Sequence, residues 1–98
     1  MSNQPQRELD DELVKYDSIV TRIVWNARAA FLRNRERGKA GWDHPRAWED
    51  QKSPLDRAVD EIEEVRGAST RRWRLEEAGD ALNFLAFDFA VFDAQEEA

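Results

Sequence analysis

The chain has 98 residues, no cysteine, one histidine and a formal charge of −6, which excludes disulfides, thiolate zinc sites, cysteine nucleophiles and most histidine-rich metal centres. Charged residues make up 37 % and apolar ones 41 %, a mixture that suits amphipathic helices with solvated faces; the acidic balance disfavours a nucleic-acid-binding surface and allows cations. No apolar run approaches the roughly 20 residues of a membrane span, and the polar start MSNQPQRELDDE does not read as a signal peptide, so a single cytoplasmic domain over residues 1–98 is expected.

The first element is a long helix from about Arg7 to Arg37. Leu9, Leu13, Tyr16, Val20, Ile23, Ala27 and Ala30 alternate in steps of four and three, a helix-packing seam. Asp10, Asp11 and Glu12 stand near its start and Arg33, Arg35, Arg37 and Lys39 at its end, the polarity that a helix macrodipole favours. The stretch GKAGWDHPRAWEDQK, 38–52, has no period; its glycines, proline and two tryptophans predict a loop with anchoring aromatics. Its length for a structureless connection makes it a candidate functional segment. Within it, Trp42 and His44 either close over a ligand or serve the turn.

Ser53 as N-cap, Pro54 at the first helical position and Asp56 in the first turn open a short second helix. Leu55, Ala58, Val59, Ile62 and Val65 form its apolar face, and Gly67 ends it. The last helix starts at Ser69 or Thr70 and runs to about Ala94, with a fraying tail. Leu75, Ala78, Leu82, Leu85, Phe89 and Phe92 form its seam, expected to pack on the chain's own helices. On the opposite side stand Glu77, Asp80, Phe84, Phe87 and Val91. A helix apolar on two sides is buried on two sides, so this second stripe is expected to meet another subunit. The fold class is an all-α helical bundle, a long amino-terminal helix followed by an acidic helical hairpin, assembled as a homo-oligomer.

Glu77 and Asp80 sit at the mouth of that stripe, where carboxylates are costly unless paired or bound to a cation. Gly79 between them predicts a close helix–helix approach. The preceding helix carries a matching pair, Glu61 and Glu64. Twelve residues separate Glu64 from Glu77, a hairpin spacing that brings the pairs face to face. Four facing carboxylates repel one another without a cation, and oxygen-only ligands suit Mg²⁺ or Mn²⁺.

The run DEIEE…EEAGD resembles the signature of the MazG-like all-α nucleoside triphosphate pyrophosphohydrolases, E-E-x-x-E followed after a dozen or more residues by E-x-x-D. Asp60 replaces the first Glu of that motif, and Glu61, Glu64, Glu77 and Asp80 fill the other places. VDEIEEV and LEEAGDALNFL are similar to the family's V-G-E-V-G-E-L and L-x-E-E-L-G-D-V-L-x-x-L. Upstream, RAW and SP resemble its R-D-W…T-P run at a shorter spacing. The likeness covers roughly residues 46–87.

It implies that Glu61, Glu64, Glu77 and Asp80 hold Mg²⁺ and carry catalysis. The implied reaction converts (d)NTP to (d)NMP and pyrophosphate, as in clearing non-standard or surplus nucleotides, in a homodimer or tetramer. Asp60, Glu63 and Glu76 are spare carboxylates among which a general base is not singled out. Asn83 either bonds substrate or is a capped or solvated amide. Trp48 and Phe84 either stack on the base, as aromatics do in similar proteins, or pack. Arg71, with Arg72 and Arg74, either neutralises phosphates in a neighbouring subunit or balances the acidic surface. The alternative to an enzyme is a non-catalytic helical adaptor that uses the same apolar stripes.

Overall fold

A computed structural model describes residues 4–97. It comprises α1 (Gln4–Glu36), a 3-10 turn (Pro45–Trp48), α2 (Pro54–Gly67) and α3 (Arg71–Glu97), with no strand among the described residues. Among the described residues no helix is long and apolar enough to cross a membrane.

Local chemistry sets most boundaries. The Ser53 hydroxyl accepts from the Asp56 N–H at 3.1 Å, and Pro54 occupies the first helical position, where its missing donor costs nothing. Thr70 caps α3 in the same way, its Oγ1 accepting from the Trp73 N–H at 3.1 Å. α2 ends at Gly67 without a left-handed residue: positive φ occurs at Gly38 and Gly41 instead, and the chain turns through Ala68, extended and buried. The expected fraying after Ala94 is not seen, since α3 continues to Glu97. α1 is already helical at Gln4, so Asp10, Asp11 and Glu12 stand beyond its first turn, where the dipole effect has largely decayed. Arg33 and Arg35 do lie in its last turn. The segment expected to be structureless contains the 3-10 turn, started by Pro45 and capped by His44, whose Nδ1 accepts from the Arg46 N–H at 3.2 Å.

Two helix contacts define the bundle. α1 and α3 run in the same direction, with Gly79 against Asn26 and Ala27 and Phe87 near Phe31 further along. α2 runs back along α3, with Arg57 over Phe84 and Glu61 near Glu77. The core between them consists of small side chains: Ala27, Ala30, Ala58, Ala68 and Ala81 are buried, and no large side chain is fully buried.

The faces are used differently from expectation. The stripe of α3 expected to meet another subunit, with Phe84 and Phe87, is covered by the chain's own α1 and loop. The seam expected to pack internally is free over its carboxy-terminal half, where Leu85 is 44 %, Phe92 56 % and Phe89 67 % exposed, while Leu75, Ala78 and Leu82 are partly buried. On α2, Leu55, Val59 and Ile62 face outward, while Pro54, Ala58, Glu61 and Val65 turn inward. The physical reason is size. Backbones that approach through Gly79 and alanines leave no room for a row of leucines at the crossing, and the rings of Phe84 and Phe87 find space beyond it, against Phe31 and the loop. The seam of α1 likewise packs only from Ile23 onward, and every described residue up to Arg22 is exposed.

Candidate active site

The hairpin places Glu61 on α2 opposite Glu77 and Asp80 on α3. One carboxylate oxygen from each lies within 4.8 Å of the others. Opposite ligands of an octahedral Mg²⁺ stand about 4.2 Å apart, so small side-chain rotations bring three such oxygens onto one ion. Hard oxygen donors with no sulfur or imidazole among them suit Mg²⁺, Mn²⁺ or Ca²⁺. All three residues are partly buried.

Electrostatics mark the triad as short of positive charge. Burial, first, then a hydrogen bond shared with Glu77 and the charges of Asp80, Glu77 and Glu64 push the Glu61 carboxyl from 4.5 up to about 7. Asp80 is also raised, by burial and then by the charge of Glu77, and Arg33 opposes the rise. The Trp73 indole N–H donates to Glu77 at 3.3 Å. Glu64 is exposed and stands outside the triad, and it acts on Glu61 through its charge. Of the spare carboxylates, Asp60 pairs with Lys52 at 2.8 Å, Glu76 with Arg72 at 3.2 Å and Glu63 with Arg66 at 3.6 Å. All three are exposed pairs beside the triad.

One turn further along each helix, the acids give way to an aromatic cavity of about 450 Å³. Its walls are Phe31 of α1, Trp42 and Trp48 of the connecting segment, and Phe84 and Phe87 of α3, with Arg57 of α2 at the edge. Trp42 and Phe87 are tilted by 36° at 5.1 Å, Phe31 meets Trp42 edge-on at 5.5 Å, and Trp48 meets Phe84 edge-on at 6.2 Å. The Trp48 indole N–H donates to the Trp42 carbonyl at 2.9 Å, which ties the two ends of the loop together. Arg35, Lys39, Asn34 and Gln51 supply polar groups at the rim.

The structure thus gathers Glu61, Glu77, Asp80, Trp48 and Phe84 around one end of the hairpin. It does not bring Arg71 there. Arg71 opens α3 and lines a separate groove with Ile23, Arg74, Leu75 and Ala78. Asn83 uses its amide nitrogen to donate to the Ala27 carbonyl at 2.8 Å, joining α3 to α1. Sequence reasoning missed Phe31, although it falls four residues after Ala27 on the same seam. It also missed Arg57, four residues before Glu61 on the same side of α2.

The chain matches no protein-family model, no curated protein and no solved structure. The likeness to MazG-like enzymes therefore rests on the motif residues themselves.

Proposed function

We propose that the protein is a divalent-metal-dependent nucleotide pyrophosphohydrolase of the MazG-like kind. It would cleave a (d)NTP to the (d)NMP and pyrophosphate. The observation that carries this reading is the juxtaposition of three converging carboxylates with an aromatic cavity one helical turn away. A nucleotide has the matching parts: a flat ring for the cavity, and a polyphosphate that approaches carboxylates only through a cation. Glu61, Glu77 and Asp80 would hold the ion, with Glu64 completing the set from the rim.

When bound, Mg²⁺ neutralises phosphate charge and polarises the α-phosphoryl group. Trp42, Trp48, Phe84 and Phe87 hold the base and thereby fix the position of the α-phosphorus. Water adds to that phosphorus, the bond to the bridging oxygen of the β-phosphate breaks, and a carboxylate at the rim accepts the water proton.

The exposed large apolar side chains of α3 and α2 support assembly into a homo-oligomer, which would remove them from water. They would serve a non-catalytic adaptor equally, and a turnover assay separates the two. Purified protein with a panel of dNTPs and Mg²⁺ should release pyrophosphate and not phosphate. Glu61→Gln and Asp80→Asn should abolish release at unchanged helicity. Absence of release with every nucleotide, or undiminished release in both variants, rejects the enzymatic reading.

A further inference from the structure

Arg57 is an unpaired cation in an acidic protein. It sits on the inward side of α2, partly buried, with its guanidinium carbon 4.9 Å from the centroid of the Phe84 ring. No carboxylate or carbonyl of the described residues accepts from its side chain. The ring contact holds the guanidinium against the cavity wall, and its donors are left for whatever enters. The other two cations of the lining point the same way. Arg35 and Lys39 are donor-only side chains, and no carboxylate lines the cavity. Gln51 has one amide N–H engaged with the Ala47 carbonyl at 2.6 Å, which leaves its oxygen open as the counterpart of a ring N–H, and Asn34 offers both a donor and an acceptor.

A cavity with fixed donors at one edge selects a ring by its acceptors. Guanine presents O6 beside N7, and uracil and thymine present O4. Adenine presents an amino group at the equivalent place, which would face the guanidinium donor to donor. We propose that Arg57 is the residue that sets base preference, so that guanine- and uracil-type keto bases are taken ahead of adenine. This deepens the nucleotide reading and rests on it.

The test uses the protein with millimolar Mg²⁺, which lets a phosphate approach the acids, and calorimetric titration with GMP, UMP and AMP, whose equal phosphate charge isolates the base. The two keto nucleotides should bind about tenfold more tightly than AMP, the discrimination that one well-placed arginine fork supplies. Arg57→Met keeps aliphatic cover on Phe84 and removes the donors, and should bring the three affinities within about twofold. Arg57→Lys keeps the charge without the fork and should lose most of the preference as well; it carries the test if helicity falls in the Met variant. Equal binding of all three by the parent overturns this inference and leaves the nucleotide reading standing. A preference retained in both variants removes Arg57 from the role. No binding of any monophosphate overturns the inference and the nucleotide reading of the cavity together.

Discussion

A Cβ placed on Gly79 would stand 2.8 Å from the backbone nitrogen of Ala27 and 3.0 Å from the carbonyl carbon of Asn26. α3 and α1 therefore meet backbone to backbone, and the obstacle to any larger residue is main chain, which cannot swing aside. This contact lies between the acids of α3 and sets how deeply Glu77 and Asp80 sit.

Gly79→Ala follows directly. Helix propensity alone would gain about 1 kcal/mol, but overpacking of this kind costs about 1–3 kcal/mol, so a net loss of stability is expected. Urea unfolding followed by circular dichroism measures it. A variant more stable than the parent would show that the two helices do not approach so closely.

Metal-free stability should depend on pH with a definite sign. Glu61 ordinarily titrates near 4.5 and in the fold at about 7. Between those values the folded chain holds a proton that the unfolded chain has released. Its contribution is therefore fully present below 4.5 and is lost as pH rises through about 7. Asp80 is shifted in the same direction. Melting in EDTA should show a lower Tm at pH 8 than at pH 5, and Glu61→Gln should flatten the dependence. Millimolar Mg²⁺ at pH 8 should restore Tm in the parent beyond the effect of matched ionic strength. A metal-free Tm that climbs over this interval contradicts the assignment.

Phe89 sits in the middle of the free stripe of α3, two-thirds exposed. If that stripe is covered by another copy, Phe89→Glu places a charge in the contact. The mass in solution by light scattering should then fall to that of one chain, with a lower Tm at equal protein concentration. A parent that is monomeric at micromolar concentration, or a variant of unchanged mass, argues against burial of this face.

Trp48→Ala tests the cavity. Stacking on a base is worth about 1–3 kcal/mol, so kcat/KM for the preferred nucleotide should fall by about 5- to 150-fold. The far-ultraviolet spectrum should keep its helical shape, because Trp48 lies outside the three α-helices. A variant with parental kcat/KM would place the base elsewhere.

The elements were legible in the sequence because their signals are local. Ser53-Pro54, Thr70 and the seam of α1 act through neighbours within one turn, and the structure places helices where they indicate. The convergence of Glu61 with Glu77 and Asp80 was legible too, since a short hairpin fixes which turns face each other. The buried face of α3 was not. Counting apolar positions favours the stripe with the most leucine and phenylalanine, whereas the chain sets Gly79 and the polar Asn83 against α1 and buries Ala81 on another side of the same helix. That choice depends on how closely backbones approach, a three-dimensional quantity for which a lone mid-helix glycine is the sole local sign. Arg57 escaped notice for a related reason: among many arginines, only the position of Phe84 on the next helix distinguishes it.

The shared direction of α1 and α3 has an electrical consequence. Side-by-side parallel helices set their peptide dipoles like against like, and only the shorter α2 opposes them. The carbonyl-rich ends of the two long helices both point toward the aromatic end of the molecule, so partial negative charge gathers there. Arg33 and Arg35 stand in the final turn of α1, with Arg37 and Lys39 just after it, and α3 has no basic residue in its own final turn. The cations there complement the end of α1, the end of α3 has no such complement of its own, and charge reversal in the last turn of α1 would weigh on that helix end.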